Sequence, residues 1–172
     1  MGKNDKRKLL KSAIIGKIVM IMLVVIDQLT KQLALIHLKD KAPIVLIEGV
    51  FELYYLENIG SAFGLFKGQR WLFLLSVVFV TIVVIYSYCK LPMTKRYKPL
   101  RVLCVGILAG AFGNMIDRIV HGFVIDFFYF SLIDFPIFNV ADIYIVVSTI
   151  LLILLMLFYY KEADFEFLSK DK

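Results

Sequence analysis

The residues best equipped for chemistry are concentrated between Asn114 and Asp142. Asp117, Asp126, Asp134 and Asp142 supply four carboxylates, Asn114 and Asn139 two amides, and Arg118 and His121 the only basic groups of the stretch. Strongly apolar runs flank it, so these groups fall at the edges of segments suited to lipid. Ionisable side chains there are expensive to keep dry and are read as functional by default. Two carboxylates brought together cannot both ionise cheaply, so one keeps a proton while the other stays anionic. The anion can take a proton from water, while the neutral partner polarises a carbonyl and later protonates a leaving amine. That is the chemistry of an aspartic peptidase. It requires neither a metal nor a covalent intermediate.

Spacing alone leaves open which acids would form the pair. Asn139-Val-Ala-Asp142 also fits a helix start, with Asn139 as N-cap and Asp142 at the third helical position. Asp126 fits a solvated loop acid equally well, and Asp117 beside Arg118 fits an interfacial ion pair that fixes the loop. Asp27 and Lys31 are one helical turn apart and share a face, as an ion pair would. Asn58 and Asn114 fit amides that satisfy backbone groups where helices end.

The elements that must position these groups are membrane spans. The chain has 172 residues, 60% hydrophobic and 20% charged, which is not the balance of a soluble domain. Four runs, about 13–36, 71–88, 102–118 and 140–160, match a hydrocarbon core of roughly 30 Å. The length allows one membrane domain over 1–172 and no second one. Between the first two runs, residues 38–68 are too polar to span. Ile44 to Leu56 reads as two short strands around Glu48-Gly49. Open strands cannot lie in lipid, so this segment belongs at the surface, followed by an interfacial helix or loop. The expected fold is an all-α polytopic membrane protein: four transmembrane helices, a small extracytoplasmic β segment and that helix or loop. Gly106-Ile-Leu-Ala-Gly110 should let a neighbouring helix approach closely.

The net charge is +6, but its distribution argues against nucleic acid. Lys3, Lys6, Arg7, Lys8 and Lys11 precede the first span, and Lys17 lies in its first turns. Lys90, Lys95, Arg96, Lys98 and Arg101 share one short loop, and Lys161, Lys170 and Lys172 follow the last span. Basic residues beside spans mark the cytoplasmic side, which puts both termini inside and the acids near the extracytoplasmic face. Cys89 and Cys104 fall on the reducing side and are read as free thiols. The basic, then apolar N-terminus resembles a secretory signal peptide. It lacks a small-x-small cleavage site and runs on into Asp27-Gln-Leu-Thr-Lys31, so it reads as an uncleaved first span.

Five motifs occur in order: Asp27-Gln-x-x-Lys31, Asn58-x-Gly60-x-Ala62-Phe63-Gly64, Gly110-Ala-x-Gly113-Asn114-x-x-Asp117-Arg118, Val124-x-Asp126-Phe127 and Phe138-Asn139-x-Ala141-Asp142. Together they resemble the lipoprotein signal peptidases, or signal peptidase II, from about Asp27 to Asp142. The resemblance implies an intramembrane aspartyl peptidase of the bacterial cytoplasmic membrane. Such an enzyme removes the signal peptide from prolipoproteins, cutting on the N-terminal side of a diacylglyceryl-modified cysteine. It implies Asp126 and Asp142 as the catalytic dyad, with Asp117 as the rival for one place. Asn58, Gly60, Asn114, Arg118 and Asn139 would support dyad and substrate, and Asp27 and Lys31 would brace the first helix. Lipid-modified prolipoproteins and membrane lipids are the expected partners, with no nucleic acid and no cofactor, and the expected working form is a monomer. Two departures from the family pattern are Ala109, where a glycine is usual, and Ile143-Tyr144 after Asp142.

Two other classes compete. A metal-dependent lipid phosphatase would use several aspartates around a cation, and these acids lack the close spacing of such sites. A small channel or transporter would need acids along a path, and here they crowd one face with no inverted repeat.

Overall fold

The structure, a computed structural model, describes residues 2–60 and 70–168. Helix α1 spans Lys3–Leu38, and strands β1 (Ile44–Ile47) and β2 (Phe51–Asn58) follow. Helix α2 covers Arg70–Lys90, α3 Lys98–Val120, β3 Val124–Tyr129 and α4 Val140–Phe158. Short 3-10 turns lie at Lys95–Tyr97, Ser131–Ile133 and Glu162–Leu168. The expected interfacial helix or loop, with Ala62-Phe63-Gly64, lies outside the described residues.

Local sequence explains the helix limits. Pro99 sits in the first turn of α3, where its missing N–H is not needed. Asn139 caps α4. The first helix begins ten residues before the predicted span because its basic run has no Gly or Pro to stop it after Gly2. Among the described residues, three helical segments are long and apolar enough to cross a membrane: Lys3–Leu38, Lys95–Val120 and Val140–Phe158. The run predicted at 71–88 corresponds to α2, an apolar helix packed against α3. Large apolar side chains such as Ile15, Phe79 and Leu157 point outward, as they would toward lipid.

The α3 helix is the hub, packing on α1, α2 and α4. A Cβ on Gly106 would collide with Ser148 Oγ, and one on Gly110 with the Ala141 carbonyl and Ile145. Gly106-x-x-x-Gly110 is therefore the seam on which α4 lies, and the close approach expected of it is made. A side chain at Gly113 would meet the Asp27 carboxylate and Ala141 Cβ, so that position admits α1 and α4 together.

The sheet has the order β1-β2-β3 and is antiparallel throughout. Gly49, with φ of +67°, makes the turn between the two strands read from the sequence. The third strand was not foreseen: Val124–Tyr129 reads as outer loop, because a six-residue run interrupted by an acid carries little signal without its partner. That partner is β2, with Leu56 opposite Asp126 and Asn58 opposite Val124. Alternation along β3 sends Ile125 and Phe127 into a buried cluster with Ala34 and Leu38 of α1. Asp126 is thereby turned to the opposite face.

At the far end of the bundle the residues after α4, where the sequence places Lys161, fold back on the α2–α3 loop. Leu91, Tyr97, Leu100 and Tyr160 form a buried cluster there with Phe165 and Phe167 against it. Arg96 pairs with Asp164 at 2.6 Å through both Nε and Nη2. The fork of Arg96 holds the Asp164 carboxyl down to about 2. The aromatic spacing of Tyr159, Tyr160, Phe165 and Phe167 is the signal that could have identified this element.

Candidate active site

The site is built upward from a buried lysine. Lys31 is 1% exposed, and its three ammonium protons meet three acceptors. These are Asp27 Oδ2 at 2.9 Å, Asp117 Oδ2 at 3.0 Å and Asn114 Oδ1 at 2.9 Å. The i,i+4 pair expected of Asp27 and Lys31 is present, but it lies in the core of the bundle. Asp117 is likewise 1% exposed. Its cation is Lys31, from another helix, and it fixes the following loop by accepting the Ile125 N–H at 3.1 Å. The interfacial pairing with Arg118 gives way to this arrangement because Asp117 faces inward on α3. It is an anchor for β3.

An ammonium only donates, so Lys31 dictates which end of the Asn114 amide it faces. With Oδ1 turned to Lys31, Asn114 Nδ2 points to Asp142 Oδ1 and donates at 2.7 Å. Asn139 does the corresponding work on the other side. Its Nδ2 donates to Asp126 Oδ1 at 2.6 Å and to Asn114 Oδ1 at 3.0 Å, and its Oδ1 accepts the Asp142 N–H at 3.0 Å. Asp142 Oδ2 accepts the Asn139 N–H at 3.1 Å, closing a reciprocal capping box. The helix-start reading of Asp142 therefore holds, and the same residue stands beside Asp126. The cap fixes the carboxylate in the first turn of α4, where the helix dipole favours negative charge.

Asp126 is 1% exposed and receives its second N–H from Asn58 Nδ2 at 2.8 Å. Each of the four oxygens of Asp126 and Asp142 thus has an N–H donor. One residue, Asn139, touches both acids. Burial pushes the Asp126 carboxyl up to about 7, and the neighbouring Asp142 charge pushes in the same direction. Such a group holds a proton near neutrality beside a second acid. Asn58 is held in turn by β2 and accepts the Gly60 N–H at 3.0 Å. Arg118 Nη1 donates to the Asn114 carbonyl at 3.2 Å, and Nη2 reaches toward the Gly60 carbonyl at 3.5 Å. Asn58, Arg118 and Asp142 are half-buried, so they line the open side of the site.

All ten residues singled out in the sequence converge here. Two groups went unassigned. Gln28 Nε2 donates to Asp117 Oδ1 at 2.9 Å and to the Gly113 carbonyl at 3.2 Å, tying α1 to α3. Its polarity inside an apolar run was the available signal. The backbone N–H of Ala141 donates to Asp27 Oδ1 at 2.8 Å, and no pattern of side chains announces a backbone partner.

A bundle of apolar helices closed by a small sheet, with two carboxylates held by three asparagines of which Asn139 touches both, fits a membrane hydrolase of the aspartic type. The family model described as Signal peptidase (SPase) II matches residues 19–158, and the chain belongs to that family. It is 40% identical over 152 residues to the lipoprotein signal peptidase of Clostridium tetani, covering 87% of this chain and 94% of that one. The lipoprotein signal peptidase of Clostridioides difficile is 37% identical over 142 residues, covering 83% and 94%. A solved bacterial membrane enzyme, determined by the in meso method at 2.3 Å resolution, superposes with a TM-score of 0.75. The two are 28% identical, over 86% of this chain and 92% of that one.

Proposed function

We propose that this chain removes the signal peptide from lipid-modified prolipoproteins, cutting N-terminal to the lipidated cysteine, with Asp126 and Asp142 as the catalytic dyad. The observation that carries the assignment is the bridge through Asn139, which donates to Asp126 and forms the capping box with Asp142. Membership of the signal peptidase II family supports the reaction. Asp142 takes a proton from a water molecule as that water attacks the scissile carbonyl carbon. Asp126 gives its proton to the carbonyl oxygen, leaving a tetrahedral intermediate between the acids. Collapse returns that hydroxyl proton to Asp126, while the proton on Asp142 goes to the departing amine of the cysteine. The pair ends as it began.

The asparagines serve this exchange by holding each carboxylate in one orientation, and Arg118 and Gly60 face the space where the peptide backbone would run. Counting α2 gives four crossings, with both termini on the cytoplasmic side and the acids near the extracytoplasmic face. The basic residues of the N-terminal run and the α2–α3 loop support that orientation. The working form is a monomer, since the dyad and its supports all come from one chain.

The test is turnover of a diacylglyceryl-modified prolipoprotein by purified Asp126→Asn and Asp142→Asn variants. Each should lose activity by at least about 10³-fold while keeping its helical signal and unfolding as a single species in detergent. Wild-type turnover should be indifferent to chelator, which a metal-dependent lipid phosphatase would not be. Retained cleavage in either variant would overturn the dyad.

A further inference from the structure

A cavity of about 770 Å³ opens among the helices, reaching Ile143 beside Asp142 at one end, within the roughly 300–1,000 Å³ typical of ligand pockets. It runs from Tyr144, near the start of α4, to the first turns of α3, and its walls are mainly aliphatic. One end is different. Lys95, Lys98 and Arg101 line it, and no Asp or Glu is among its described lining residues.

Arg101 is the unusual member. It is 6% exposed, yet its described partners are neutral. Nη2 donates to the carbonyls of Leu91 at 2.7 Å and Pro92 at 2.9 Å, and the guanidinium lies 5.7 Å from the centre of the Tyr88 ring. Its Nε is buried without a hydrogen-bond partner among the described residues. A buried cation with an orphaned donor is costly unless an anion completes it. Lys95 and Lys98 are exposed beside it, and the positive end of the α3 dipole adds to the field.

We propose that this crevice binds one anionic phospholipid, its acyl chain between the helices and its phosphate between Arg101, Lys95 and Lys98. Basic pockets between membrane helices select anionic headgroups by this combination of charge and apolar depth. A signal-peptide helix fits the apolar walls but not the end. Its leading segment is positively charged and would meet three more cations.

The experiment uses the full-length protein, equilibrated with vesicles of equal parts phosphatidylglycerol and phosphatidylcholine with matched chains, then examined by native mass spectrometry. Wild type should retain one phosphatidylglycerol per chain in clear excess over phosphatidylcholine. Lys95→Gln with Lys98→Gln should reduce the excess by about fivefold per removed charge. Both positions are exposed, so this variant carries the test even if Arg101→Gln fails to fold. Equal retention of the two lipids by wild type overturns the proposal, as does an excess that the double variant leaves intact. Displacement of the bound lipid by a synthetic signal-peptide segment would assign the crevice to substrate and overturn it too.

Discussion

Asp27 Oδ1 accepts the backbone N–H of Ala141 at 2.8 Å, joining the middle of α1 to the first turn of α4. Its other oxygen holds Lys31, so one carboxylate links the lysine to the helix start that presents Asp142. Replacing Asp27 by Ala leaves a buried ammonium short of an acceptor and frees an N–H in the core. Breaking a buried pair in this way costs on the order of 3–5 kcal/mol. Thermal unfolding of Asp27→Ala in detergent should begin well below wild type, with turnover per folded molecule changed much less. Unaltered stability with complete loss of activity would show that Asp27 takes part in the chemistry itself.

Lys31→Met tests the chain of orientation from Lys31 through Asn114 to Asp142. Without the ammonium, Asn114 can turn its oxygen toward Asp142, setting two acceptors against each other, while Asp27 and Asp117 lose their shared cation. Because Asn114 donates to Asp142, kcat should fall by about 10²-fold with KM little changed. Steady-state kinetics on the folded fraction decides it. A raised KM with normal kcat would make Lys31 a substrate-binding residue.

Much of this site was legible because polar residues inside apolar runs are so few that each one counts. Asp27, Lys31, Asn114 and Asp117 could be read that way, and all of them meet at Lys31. Where the residues go was less legible. Asp117 reads as interfacial beside Arg118, yet it is buried, because which face of α3 turns inward depends on α1, far away in sequence. The strand that carries Asp126 depends on pairing with β2, again a distant partner. Period and composition are local signals, whereas registry between distant segments is decided by packing.

The pH profile follows from Asp126, pushed up to about 7 by burial and then by the Asp142 charge. An unfolded aspartate titrates near 3.9. Between about 4 and 7 the folded chain therefore holds a proton that the unfolded chain has lost. Stability should fall as pH rises through that window and level off above it. Asp126→Asn should flatten the slope, measured as thermal midpoints across the window. In wild type, kcat/KM should decline above about 7, approaching tenfold per pH unit, as the shared proton is lost. An alkaline limb beginning only above about 9 would show that the pair does not hold its proton in this way.

Gly110 controls the separation of α3 from α4, and so the distance from Asn114 to Asp142. A Cβ there meets the Ala141 carbonyl, a backbone atom in the first turn of α4 that cannot swing aside as a side chain would. Gly110→Val must push the start of α4 outward. That loosens Asn114 Nδ2 from Asp142 Oδ1, now 2.7 Å apart, and the Ala141 N–H from Asp27. A shift of about 1 Å at reacting groups is worth about 10²-fold in rate. Overpacking typically adds roughly 1–3 kcal/mol of destabilisation. Both losses should therefore appear together, as a lower thermal midpoint and as reduced kcat in the molecules still folded. Ala109→Gly, one residue away and fully buried, removes only a methyl group and pushes nothing outward, so it should lose stability with kcat nearly intact. If Gly110→Val instead matched wild type in kcat, the spacing of α3 and α4 would not be what holds the acids in register.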